Sequence, residues 1–184
     1  DRRKGKRSRG PVLPATVNRE LSFLRRIFNV AIADGLAEAN PVKAKLFAKE
    51  NNARVRFLTP EEETRLQQEI GPDDWPKVAL AIHTGLRRGE QFALRWEHVG
   101  FATGVITIPR AKSGEKRHVP MNDEVRELLR SFPSRLKSPW VFPNQSDRRP
   151  LDAKNFVSRV FLPALERAGI RGLHWHDLRH TFAS

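Results

Sequence analysis

Four consecutive residues, Thr59-Pro60-Glu61-Glu62, write a helix start. Thr59 can cap the first turn, Pro60 already holds the φ that this turn needs, and Glu62 stands where a carboxylate can return to the N–H of the cap. Order that begins here is expected to continue as helices over 60–70, 75–83 and 88–96, interrupted by Gly71-Pro72 and by the Thr84-Gly85 step. Val105 to Pro109 and Lys116 to Pro120 read as short strands about a Ser113-Gly114 turn, a hairpin with Lys112 near its tip. Helices resume at 122–132 and 152–168. The second carries Phe156, Val157, Val160, Phe161 and Leu165 as its apolar stripe, is kinked or interrupted by Pro163, and ends at Gly169. The expected fold class is mainly α with a small antiparallel β-sheet, an α+β domain over residues 59–184.

Upstream, DRRKGKRSRG carries six basic side chains and nothing apolar, so it cannot bury a core and is expected to stay mobile until it meets a polyanion. Val17, Leu21, Leu24, Phe28, Ala31 and Ile32 then fall at helical spacing, and Gly35 offers a stop before the Asn40-Pro41 turn. Residues 1–43 therefore read as a basic arm and one amphipathic helix of a neighbouring domain, and residues 44–58, which lack a clear period, as a linker. The chain opens on Asp1 and its only methionine is Met121, so the natural protein is expected to be longer.

Lys and Arg number 34 against 21 Asp and Glu, a net charge of +13. A positive field of that size concentrates polyanions and gains from counterion release, which makes nucleic acid the expected partner. An inert basic surface has the same composition, so motifs must decide. Without cysteine there is no disulfide framework, thiolate metal site or thiol nucleophile. No apolar run approaches the roughly 18 residues of a spanning helix, so a cytoplasmic chain without a membrane partner is expected.

Two short runs hold the candidate chemistry. In HTGLRRGE, residues 83–90, Arg87 follows a glycine break that can carry its guanidinium off the helix surface to hold a phosphate with paired donors, and Glu90 could orient it. In LHWHDLRHTFAS, residues 173–184, His176, Arg179 and His180 share one face if the segment is helical. Histidine can trade a proton near neutral pH, and Arg179 supplies fixed charge. His180 also reads as a packed, hydrogen-bonded residue of the helix start. A rival assignment makes His176 and His180 metal ligands with Asp177 as a base. Against it, aspartate is a methylene shorter than the glutamate of zinc proteases, and Arg179 would set a positive charge beside the cation. Lys112 attracts a backbone or, with a depressed pKa, protonates a departing alkoxide, and Lys116 and Arg117 are candidate backbone contacts beside it. Arg2, Arg3, Lys4, Lys6, Arg7 and Arg9 are the candidate contacts of the arm. Trp96 and Trp175 read as packing residues.

Taken in order, TGLRRGE, AKSGEKRHVP and HDLRHTFAS resemble the tyrosine recombinase (phage integrase) family. Upstream, TVNRELSFLRRIFNVAIADGLAEANPV resembles the closing helix of that family's core-binding domain, so the likeness covers nearly the whole chain after the basic start. The resemblance implies a DNA breaking and rejoining enzyme. A tyrosine attacks the scissile phosphate, a 3'-phosphotyrosyl link forms and a 5'-hydroxyl leaves, with no metal or nucleotide cofactor. Arg87 and Arg179 would grip nonbridging oxygens, Lys112 would protonate the leaving oxygen, His176 would assist proton transfer at the nucleophile, and Glu90 would brace Arg87, with His180 in support. It also implies duplex DNA as partner, a DNA-assembled homo-oligomer, tetrameric at full length, and a cytoplasmic, nucleoid-associated location. The sequence contains no tyrosine, and the family's later His or Trp and its nucleophile belong downstream of HDLRHTFAS. The expectation is a chain that binds DNA and does not cleave it alone. The alternative is a noncatalytic DNA-binding module that keeps the pocket, and a basic RNA-binding protein is the third class the charge allows.

Overall fold

The computed structural model describes residues 12–50, 56–109, 115–146 and 148–183. It divides into two compact units, one ending at Arg54 and one running from Val55 to Ser184.

The first unit is built on α1 (Pro14–Ala33), which starts with proline in its first turn, where a missing N–H costs nothing. Gly35, at φ +71°, closes it, and Leu36 N–H reaches back to the Ala31 carbonyl. The one buried residue of α1 is polar. The Asn18 amide donates to the Ala48 carbonyl at 2.8 Å and to Glu50 Oε1 at 2.6 Å, while its oxygen accepts from Ala48 N–H at 2.9 Å. Part of the segment expected as linker therefore folds back onto the helix, because a single amide offers both a donor and an acceptor to its backbone.

The second unit opens on α2 (Pro60–Ile70), whose start has the expected form. Glu62 N–H donates to Thr59 Oγ1 at 3.3 Å, and Thr59 N–H donates to Glu62 Oε2 at 3.2 Å. Helix α3 (Trp75–Thr84) ends at Gly85, and α4 (Arg88–Phe92) follows. The expectation of a helix to residue 96 is corrected by this shorter α4. Its continuation is taken by a bridge: Trp96 N–H donates to the Pro139 carbonyl and Val141 N–H to the Leu94 carbonyl, so the Leu94 carbonyl and the Trp96 N–H are given to a distant segment.

A three-stranded antiparallel sheet comes next, in the order β1 (Val99–Gly100), β2 (Val105–Ile108), β3 (Arg117–Pro120). The two-residue β1 was outside the sequence expectation, being too short for alternation to show. Ile106 pairs with Val119, and Ile108 with Arg117. Buried Ile106, Ile108 and Val119 turn one face of the sheet to the core. Residues 110–114, with Lys112 and the expected turn, lie outside the described residues.

Helix α5 (Asp123–Ser131) is capped by Asn122, whose side chain accepts from Val125 N–H. The helix expected over 152–168 is realised in three joined pieces: α6 (Ala153–Phe156), a widened π-helical turn (Val157–Phe161) and α7 (Leu162–Arg167). The widened turn ends two residues before Pro163, which has no N–H to return to the carbonyl of Arg159 within that turn and whose ring crowds that position. Helix α8 (Asp177–Phe182) packs on α3.

Leu66, Leu80, Ile106, Leu129, Phe161 and Leu178 are fully buried. Trp175 lies among Phe92, Phe156 and Phe161, with ring centroids 5.0 to 5.8 Å away. This apolar cluster sits at the entry to α8 and fixes where that helix starts, which connects core packing to the placement of the polar residues on α8.

Candidate functional site

The site is assembled on the turn between α3 and α4. Gly85 adopts φ +55° and ψ 24°, the left-handed conformation that a Cβ disfavours, and its N–H closes α3 on the Ala81 carbonyl at 3.1 Å. Thr84 and Leu86, on either side, are buried. The chain therefore leaves α3 on a tightly held turn, and Arg87 emerges half-exposed at the start of α4.

Glu90 holds Arg87 at both ends of the residue. Its Oε1 accepts from Arg87 Nη1 at 2.8 Å, and its Oε2 accepts from Arg87 N–H at 3.0 Å. Arg117 Nη2, from β3, donates to the same Oε2. Burial pushes the Glu90 carboxyl up, but the hydrogen bonds from the Arg87 side chain and backbone and the charges of Arg117 and Arg87 outweigh it and hold the group below the ordinary glutamate range.

Arg179 reaches the same turn from α8, donating from Nη1 to the Gly85 carbonyl at 2.6 Å, two residues before Arg87. The Phe182 ring lies against Gly85 so closely that a Cβ there would stand 2.6 Å from Phe182 Cδ1. Two side chains one turn apart thus seat α8 on the α3–α4 turn, and the two arginines singled out by motif come to one local region of the fold.

His176 is exposed at the N-cap position of α8, and its ring meets that of His180 edge-on, with centroids 5.5 Å apart. His180 is exposed, which corrects its reading as a packed residue: the buried face of α8 is taken by Leu178. Asp177 accepts from the His174 N–H at 2.8 Å, so its carboxylate is spent on the chain entering the helix. No group of three His, Cys, Asp or Glu able to hold a metal ion occurs among the described residues. His174, Trp175 and His176 line a cleft of about 450 Å³ together with Arg88, Gly89, Val157 and Leu162, so the entry to α8 and the first turn of α4 share one opening.

Lys116 is exposed, whereas Arg117 is half-buried and directed to Glu90. Lys112 and the arm residues Arg2, Arg3, Lys4, Lys6, Arg7 and Arg9 lie outside the described residues. Trp175 is buried, and Trp96 packs partly buried between Phe101 and Phe132. Sequence reasoning missed the pairing of Arg117 with Glu90 and the part of the Gly85 carbonyl in holding Arg179. Neither has a local signal, since the partners stand 27 and 94 positions apart.

Residues 56–184 match the Phage integrase family, and the chain belongs to this family of tyrosine recombinases. Among its relatives, the shufflon-specific DNA recombinase of Escherichia coli is 34% identical over 178 residues, covering 95% of this chain and 44% of the relative. The integrase of Salmonella phage P22 is 32% identical over 188 residues, covering 95% of this chain and 47% of the relative. The chain thus spans about half the length of these curated relatives. Of solved structures, a lambda integrase dimer bound to a COC' core site superposes with a TM-score of 0.74 at 25% identity, over 92% of this chain and 66% of that one. A lambda integrase tetramer bound to a Holliday junction gives a TM-score of 0.74 at 26% identity, over 92% of this chain and 53% of that one.

Proposed function

We propose that this chain is the phosphate-holding part of a site-specific DNA recombinase or integrase. It binds duplex DNA and grips a scissile phosphate for cleavage and rejoining by a tyrosine that is not among these 184 residues. The observation that carries this reading is the hydrogen bond from Arg179 to the Gly85 carbonyl, beside Arg87 braced by Glu90. Charge builds on phosphoryl oxygens in the transition state, and guanidinium groups held in place beforehand stabilise it without reorganising.

In this reading Arg87 and Arg179 hold nonbridging oxygens, His176 passes a proton to or from the nucleophile, and Lys112 protonates the departing 5'-oxygen. The nucleophile adds to phosphorus as the bond to the 5'-oxygen breaks, so the phosphate is carried on the enzyme at its 3' link until the 5'-hydroxyl returns. The basic arm, Lys116 and the net charge of +13 supply attraction to the backbone. Residues 1–43 are the basic arm and the last helix of a core-binding domain, residues 44–58 lead from it to the catalytic domain over 59–184, and assembly is on DNA as a homo-oligomer.

The test expresses the whole reading frame of the gene and incubates the protein with a nicked suicide substrate. A covalent adduct through tyrosine, lost in Arg87→Ala and Arg179→Ala, supports the reading. Intact DNA binding without an adduct favours a noncatalytic module that keeps the pocket. Equal affinity for structured RNA and duplex DNA would point to an RNA-binding protein.

A further inference from the structure

We infer that Arg117 is a positioning residue, which holds Glu90 and through it Arg87, and does not serve as a contact to DNA. The inference rests on the reading of Arg87 as a phosphate ligand and deepens it. Three donors converge on one carboxylate: Arg87 Nη1 on Oε1, and Arg87 N–H and Arg117 Nη2 on Oε2. The Glu90 side chain is only 11% exposed, so water has little room to replace a lost partner.

The strand register explains why Arg117, and not its neighbours, takes this part. Arg117 stands opposite Ile108 and two residues before Val119, which is buried, so it shares the inward face of β3. Lys116 and His118, the adjacent residues, are exposed. The Arg117 Nε is buried and has no hydrogen-bond partner among the described residues, so the shaft of its guanidinium faces protein. Arg87, the N-cap of α4, and Glu90, in its first turn, belong to one local element. Arg117 adds an anchor in the sheet, so the orientation of the carboxylate, and with it that of Arg87, is referred to a second element of the fold.

The experiment compares wild type, Arg117→Ala, Arg117→Lys, Arg87→Ala and the Arg87→Ala/Arg117→Ala pair. Two readouts are taken: NMR of the arginine guanidinium nitrogens in the free protein, and affinity for a short DNA duplex against salt. Arg117→Ala is expected to release the hindered rotation of the Arg87 guanidinium and to weaken duplex binding about five- to tenfold, a part of what one charge-assisted contact contributes, since Arg87 is loosened and not removed. In the Arg87→Ala background the same substitution is expected to change affinity less than twofold, within the error of independent effects. Arg117→Lys, which keeps the charge and one donor, should restore part of the Arg87 ordering, and it answers the question if the alanine variant does not fold. An equal affinity loss in both backgrounds would show that Arg117 touches DNA itself and would overturn the inference, as would unchanged Arg87 signals in Arg117→Ala. Released Arg87 signals combined with full affinity in Arg87→Ala would sustain the positioning part while removing the phosphate role of Arg87, so the two failures are distinguishable.

Discussion

Arg179 on α8 donates its Nη1 hydrogen to the Gly85 carbonyl at 2.6 Å, joining residues 94 positions apart at the turn that presents Arg87. The guanidinium has further donors beyond the one spent on Gly85, so the proposed grip on a phosphate does not require that bond to break.

Arg179→Ala removes a charge-assisted bond and leaves the Gly85 carbonyl without that donor. Stability should fall by about 1–2 kcal/mol, read from the urea midpoint, with a larger relative loss of DNA cleavage than of DNA binding in the whole protein. A binding loss as large as the cleavage loss would contradict a role specific to the reacting phosphate.

Gly85→Ala places a Cβ at φ +55° and 2.6 Å from Phe182 Cδ1. The left-handed conformation alone costs about 1–2 kcal/mol, and the contact adds to it. Adding Phe182→Leu should recover the steric part and leave the conformational part, so a thermal melt of the double variant falls between wild type and Gly85→Ala.

Glu90 is held below the ordinary glutamate range when folded. The folded state therefore binds this proton less tightly than the unfolded chain does. The stability it contributes is complete above the unfolded glutamate pKa and is lost as pH falls through the folded value. Melting temperatures taken from about pH 7 down to about pH 3 should decline less steeply in Glu90→Gln than in wild type, from a lower starting point at neutral pH. Parallel curves would mean that Glu90 is not the group responsible.

Thr59 closes the first turn of α2, remote in the chain from the site residues. Thr59→Ala should cost about 1 kcal/mol in denaturant titrations while leaving duplex affinity unchanged, which separates loss of fold stability from loss of the site.

Where a signal acts within four residues, the chain could be read directly. The Thr59–Glu62 box, the Gly85 stop and the Asn122 start of α5 follow from groups that meet within one helical turn. The run TGLRRGE likewise contains its own brace, since Glu90 reaches Arg87 from three positions on. Elsewhere the local pattern was overridden. Residues 93–96 have helical composition, yet α4 stops at Phe92 because Leu94 and Trp96 find backbone partners at Val141 and Pro139. His180 looked packed by sequence, but Leu178 takes the buried face.

Residue types, their order along the chain and the local starts and stops determined the family and the candidate ligands, because those depend on chemistry that acts over a few bonds. Tertiary structure alone decided that Arg117 is spent on Glu90, that Arg179 rests on the Gly85 carbonyl and that His176 opens onto the cleft beside Arg88. The reason is physical: a guanidinium pairs with whatever acceptor the packed core brings within about 3 Å. Which acceptor arrives is set by the way α8, the sheet and α4 pack together, a property that none of these segments carries by itself.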